Sequence, residues 1–142
     1  MFKWCFNELI VEGDETKIQE FKELVKDKDM DLSLDKLVPM PPKLFDVEPE
    51  KGQPNWQTWR LENWGTKWDV KAELIDESED SLRYLFYSAD AAPIKWLQTV
   101  SLKMPALQFV LSYQVQNTEP ATDVIDIVEA EGGNIVEVGG YA

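Results

Sequence analysis

Histidine is absent from this chain of 142 residues, and cysteine occurs once, as Cys5. The lack of histidine removes Ser-His-Asp and Cys-His catalysis and any imidazole ligand for a metal. A single cysteine excludes an intramolecular disulfide and a zinc site built from several thiolates. We therefore expect no cofactor, no metal site and no catalytic residue, and an enzyme is the least favoured class of function.

Basic residues are scarce, because 14 lysines and arginines stand against 27 acidic residues and give a net charge of -13. No basic residue follows Lys103, although six acidic residues do. Phosphate contacts need clustered lysine and arginine, so this balance argues against direct binding to nucleic acid. It favours a protein partner that is basic or itself binds nucleic acid. The acidic surface is expected at Asp123, Asp126, Glu129 and Glu131.

Long apolar runs are also missing, since no stretch approaches the roughly 18 residues that a membrane span needs. The N-terminal residues lack the apolar core of a signal peptide. We expect a cytoplasmic protein that does not bind membranes, and the sequence leaves its oligomeric state open. The length suits a single domain covering residues 1–142.

The first third of the chain predicts a strand, a helix and a second strand. Residues 5–12 have partly apolar residues on both sides, which suits a central strand. Asp14 is an N-cap for a helix that ends near Lys26. Its apolar stripe comprises Ile18, Phe21, Leu24 and Val25. Alternation over residues 32–36 predicts the next strand, and these three elements form a right-handed βαβ unit.

The second half predicts a hairpin, a helix and a further strand. Residues 68–74 alternate strictly, and a polar turn leads to another strand at residues 82–86. Asp90 is expected to cap a helix with Pro93 near its start, whose stripe is Ile94, Leu97, Val100 and Met104. Alternation over residues 107–116 gives the strand that follows.

These elements predict an α+β protein: a ferredoxin-like, split βαβ antiparallel sheet with its helices on one face. Five prolines between Pro39 and Pro54 predict a long loop, which leads into a short tryptophan helix at residues 56–64 with Arg60 and Glu62 facing outward. Loop and helix form an insertion at residues 39–64. Residues 122–139, with Gly132 and Gly133 at the turn, predict a C-terminal hairpin that extends the sheet.

Four of the six tryptophans lie between Trp56 and Trp68. One interpretation is a packed aromatic corner, in which Gly65 lets the chain turn. The other is a recognition pocket for a small molecule or a peptide, with indole walls and polar handles. The residues of that pocket would be Trp59, Trp64, Lys67, Trp68 and Asp69.

Several strings of residues resemble the YubB ferredoxin-like domain family. The most specific is Trp64-Gly65-Thr66-Lys67-Trp68-Asp69. Weaker strings occur in the same order at residues 4–7, 35–41, 93–97 and 105–109, so the resemblance covers about residues 4–113. Asp90 departs from the family, which tends to have an aromatic residue before the second helix. The resemblance implies a ferredoxin-like fold without an iron-sulfur cluster, and an origin in phages, plasmids or other mobile elements. It implies no established activity.

The sequence is compatible with two functions. The first is a non-catalytic, acidic module from a mobile element or phage that binds a protein. The alternative is a small-molecule or peptide site at the tryptophan-lined pocket.

Overall fold

Strand β1 (Trp4–Glu12) is central to the sheet in the computed structural model, which describes residues 3–49, 52–116 and 125–141. It pairs antiparallel with β3 (Ser81–Ala89) on one side and with β4 (Gln108–Val115) on the other. Strand β2 (Glu73–Glu77) pairs with β3 at one edge. Pairing on both sides confirms the prediction that β1 is a central strand, and alternate residues of β1 are buried on the core face.

The sheet has six strands in the order β2-β3-β1-β4-β5-β6, completed by the hairpin of β5 (Ile125–Glu131) and β6 (Asn134–Tyr141). The first four strands in this order are those of a split βαβ sheet, so the ferredoxin-like α+β fold is confirmed. The C-terminal hairpin extends the sheet as predicted.

The helices pack on one face of this sheet and enclose the core. Helix α1 (Glu15–Val25) begins at the predicted cap, where the Asp14 carboxylate accepts from the backbone N–H of Lys17. It buries three residues of the predicted stripe, but Leu24 is 43% exposed and lies outside the core. Helix α4 (Ile94–Lys103) buries Trp96, Leu97, Val100 and Ser101.

The strand predicted at residues 32–36 is wrong. Leu32 makes one isolated bridge to Ala72, and the chain then forms a short helix, α2 (Leu34–Leu37). The alternation of apolar and polar residues does not identify a strand here. Leu32 is completely buried just before the helix, and Leu34 is completely buried within it. The predicted right-handed βαβ unit therefore does not form at this point, and β1 and β2 flank β3 instead.

Two boundaries in the second half also differ from the prediction. Strand β2 begins at Glu73 rather than at Trp68, because the side chain of Asp69 turns away to cap α2. Asp90 does not cap α4, whose N-cap is Pro93. Asp90 has a φ of 66° and accepts a hydrogen bond from the backbone N–H of Lys3, which ties it to the start of β1.

The described part of the insertion lies against the helices. A single 3₁₀ turn (Pro42–Leu44) interrupts the proline-rich loop, and α3 (Trp56–Asn63) follows. Two indole N–H groups hold the start of this segment: Trp96 donates to the carbonyl of Leu34 at 2.9 Å, and Trp64 donates to that of Val38 at 2.8 Å. No helix in the described ranges is both long enough and apolar enough to cross a membrane.

Candidate functional site

The predicted tryptophan pocket divides into two separate places. Trp64 is 1% exposed, and Trp59 packs edge-on against it with the ring centroids 5.7 Å apart. The space beside Trp59 measures only about 80 Å³, far below the ~300 Å³ at which small-molecule sites begin. Trp59 and Trp64 therefore form the packed aromatic corner, and a ligand has no access to Trp64.

Arg60 stabilises this corner and does not face outward as predicted. Its guanidinium carbon lies 5.1 Å from the Trp56 ring centroid and 5.3 Å from that of Trp64. Its Nη1 donates to the carbonyl of Lys67 at 3.3 Å. Burial lowers the pKa of Arg60, which is the cost of placing a cation between two indole rings.

Lys67 and Trp68 lie on another surface, near the start of β1. The Trp68 ring is 6.2 Å from the ring of Trp4, and the Lys67 ammonium lies 5.1 Å from the Trp68 centroid. The same ammonium pairs with Asp90 at 3.5 Å. The sequence analysis did not include Trp4 among the site residues. Trp4 alternates with Phe6 and Glu8 along β1, and this pattern could have placed it on the sheet face opposite the core.

Asp69 has a structural role that the sequence did not reveal. Its carboxylate accepts hydrogen bonds from the Ser33 hydroxyl at 2.6 Å, from the Leu34 N–H at 2.7 Å and from the Asp35 N–H at 3.2 Å. These donors are at the first turn of α2, where backbone N–H groups have no partner within the helix. Asp69 thus caps α2 from a distant part of the chain.

We expect Asp69→Ala to lower the free energy of unfolding by about 1–3 kcal/mol, because it leaves the buried Ser33 hydroxyl and the Leu34 N–H without their acceptor. Urea unfolding followed by circular dichroism measures the change. Asp29→Ala removes the same charge at an exposed turn and should change stability by less than about 0.5 kcal/mol. Equal losses in the two variants would contradict the capping role.

The face of the sheet opposite the core, here called the open face, is acidic. On β1, every second residue from Trp4 to Glu12 points to this face, and the residues between them are buried in the core. On the other strands, the open face comprises the residues that lie opposite these β1 residues in register across the sheet. The described strands of this face carry six carboxylates, which are Glu8, Glu12, Glu73, Asp76, Glu129 and Glu131. Arg83 is the one basic residue on the described strands of this face, and it already pairs with Glu8.

Only part of the predicted acidic surface lies together. Glu129 and Glu131 line a groove of about 400 Å³ with Glu12, which the sequence did not group with them. Asp126 is opposite Tyr113 in register, so it points to the other side of β5. Asp123 lies outside the described residues. We call the groove that Glu12, Glu129 and Glu131 line the acidic groove.

Apolar side chains occupy the middle of the open face. A second groove of about 310 Å³ is lined there by Phe6, Ile125 and Ile127 among others. Phe6 packs against Tyr87 of the neighbouring strand, with ring centroids 5.1 Å apart. Val136, which is opposite Glu129 in register, is 59% exposed. The open face therefore combines an apolar middle with acidic residues around it.

Cys5 offers no reactive thiol. It is fully buried, and burial raises the pKa of its thiol to about 11, so almost none of it is thiolate at neutral pH. Within the described ranges, no group of three or more cysteine, aspartate and glutamate side chains is placed to hold a metal ion.

No family model matches the sequence, and no curated protein matches it. A crystal structure of the protein Api92 from Yersinia pseudotuberculosis, described with the family model DUF1281, superposes with a TM-score of 0.67. The superposition covers 100% of this chain and 99% of Api92, at 10% sequence identity. The fold is shared. At this identity the similarity says nothing about activity, and the resemblance to the YubB family stays a prediction.

Proposed function

We propose that the protein is a non-catalytic module that binds a basic protein partner on its open face. The observation that carries this proposal is the charge of the described strands of that face, which carry six carboxylates and one arginine that is already paired with Glu8. Opposite charges on two surfaces speed their association and penalise acidic competitors. The apolar middle of the face supplies the area that a partner's apolar residues can bury.

The acidic groove is the part of the face that best fits lysine or arginine side chains. Its three carboxylates come from two strands that do not neighbour each other, β1 and β5, with β4 between them. Gln108 of β4 donates to Glu131 at 3.0 Å, which holds that carboxylate over the strand. A basic side chain that enters the groove would meet acidic groups on both sides.

The mobile-element origin that the YubB resemblance implies suggests a specific form of this proposal. A phage or plasmid protein with an acidic face can occupy the groove that a host protein uses for nucleic-acid phosphates. The partner would then be a nucleic-acid-binding protein, and binding would block its nucleic acid.

The test compares two triple variants of equal charge. One neutralises the acidic groove with Glu12→Gln, Glu129→Gln and Glu131→Gln. The control carries Glu23→Gln, Glu48→Gln and Glu62→Gln, three exposed positions outside the sheet, on α1, on the proline-rich loop and on α3. Tagged wild type and both variants are used to capture partners from a host lysate, the bound proteins are identified by mass spectrometry, and the purified partner is titrated by calorimetry.

We expect a basic partner that binds the control variant as tightly as wild type and the groove variant about tenfold more weakly at low salt. The difference should shrink as salt screens the charges. A partner that binds the groove variant with wild-type affinity would refute the proposal.

A further inference from the structure

A third groove lies on the open face at the end away from the acidic groove. It has a volume of about 570 Å³ and is lined by Trp4, Asp69, Lys71, Tyr87 and Gln116. The volume falls in the range of about 300–1,000 Å³ that is typical of small-ligand sites. Trp4, at one end of β1, lines this third groove, and Glu12, at the other end, lines the acidic groove. The length of the strand therefore places these two grooves on the order of 25 Å apart. We call the third groove the aromatic groove.

The aromatic groove presents two ring systems that a planar molecule can stack against. Trp4 is 40% exposed and Tyr87 is 49% exposed, and their centroids are 6.4 Å apart with the planes at 73°. The rings thus form a corner, in which a planar ligand stacks on one ring and meets the edge of the other. Trp68 packs against Trp4, and Phe6 packs against Tyr87, so each of the two rings has an aromatic neighbour that holds it in position.

The charges around the aromatic groove favour an anion over a cation. Two carboxylates beside the groove are engaged, because Asp69 caps α2 and Asp90 pairs with Lys67 and accepts from Lys3. Lys71 lines the groove, is exposed, and makes no ion pair within the part of the chain that the structure describes. A cationic ligand would be repelled by Lys71, whereas a ring that carries an acidic group would pair with it.

RNA-recognition domains are one class of protein whose four-stranded sheet binds planar groups, namely nucleobases. RNA-recognition domains stack bases on aromatic residues of their two central strands, and here Trp4 lies on β1 and Tyr87 on β3, the corresponding strands. Those domains bind the phosphates of a polynucleotide through clustered basic residues, whereas the described strands of this open face carry one basic residue, Arg83. This fold-level analogy therefore favours one nucleotide over a polynucleotide.

We propose that the aromatic groove binds a free nucleoside monophosphate, with the base stacked in the corner of Trp4 and Tyr87 and the phosphate paired with Lys71. This site is independent of the acidic groove and takes a ligand of a different class from the basic protein partner.

The experiment is a titration of the ¹⁵N-labelled full chain with each of four nucleoside monophosphates, with the matching uncharged nucleosides and with a short single-stranded oligonucleotide. The readout is the set of indole N–H signals in NMR spectra, of which the Trp4 signal is assigned with Trp4→Phe. Variants are Tyr87→Leu, which removes the stacking ring, and Lys71→Gln, which removes the cation. Lys36→Gln is the charge-matched control at an exposed position on α2.

We expect at least one monophosphate to shift the Trp4 signal saturably, while the buried Trp64 and Trp96 signals stay in place. Tyr87→Leu should weaken nucleotide and nucleoside alike by at least about fivefold. Lys71→Gln should weaken the nucleotide by up to about fivefold and leave the nucleoside unchanged, and Lys36→Gln should change neither. No saturable shift with any monophosphate, equal effects of the two lysine variants, or tighter binding of the oligonucleotide would overturn the proposal.

Discussion

Trp64→Ala should lower the free energy of unfolding by about 3–5 kcal/mol, the usual cost of deleting a buried tryptophan. The indole is 1% exposed, its N–H donates to the carbonyl of Val38, and its ring packs against Trp59 and Arg60. The substitution would leave a cavity, an unpaired carbonyl and a cation that has lost one of its two rings. Since domains have only about 5–15 kcal/mol of stability, this loss is a large part of the total.

Equilibrium unfolding in urea, followed by circular dichroism, measures this effect. Trp68→Ala makes the same chemical change at a position that is 36% exposed, so we expect a smaller loss of about 1–2 kcal/mol. If Trp64→Ala does not fold, Trp64→Phe serves instead, because it keeps an aromatic ring and deletes the N–H; its loss should be about 1–3 kcal/mol. A Trp64 variant no less stable than the Trp68 variant would show that the corner does not support the fold.

Gly65→Ala should produce the second large loss of stability. Gly65 has a φ of 88°, and a left-handed backbone costs a residue with a side chain about 1–2 kcal/mol. An added Cβ would also lie 3.3 Å from the backbone nitrogens of Ile94 and Lys95. Backbone at the start of α4 cannot yield as a side chain does, so we expect a total loss of about 2–4 kcal/mol.

Gly52→Ala separates the two causes. Gly52 has a similar φ of 82°, but a Cβ there would have no heavy atom within 4 Å. We expect this variant to lose only the backbone contribution of about 1–2 kcal/mol. Thermal unfolding and urea unfolding of both variants give the comparison. If Gly65→Ala and Gly52→Ala lost the same free energy of unfolding, the close approach of the backbone at Gly65 to the start of α4 would not contribute to stability.

Strand and hairpin predictions succeeded where the signal was local. The alternation of β1, β3 and β4 and the glycine turn between β5 and β6 can be read within about ten residues of sequence. The strand predicted at residues 32–36 failed because non-local contacts decide that segment. Asp69 caps it and the indole of Trp96 binds the carbonyl of Leu34, and both residues are more than thirty positions away.

The candidate surfaces were only partly predictable for the same reason. Alternation along β5 separates Asp126 from Glu129 and Glu131, but Glu12 joins the acidic groove through the register of β1, β4 and β5. The contact between Trp4 and Trp68 joins the start of β1 to the segment before β2. Neither contact has a signature in the sequence around its own residues.

The position of β1 also sets constraints during synthesis of the chain. Its two neighbours are Ser81–Ala89 and Gln108–Val115, so the ribosome must add on the order of seventy residues after β1 before this strand gains either partner. Pairings this far apart in sequence close slowly, since loop entropy is lost before contacts are gained. Until then β1 has no strand partner for its apolar residues, and the net charge of -13 opposes association between nascent chains.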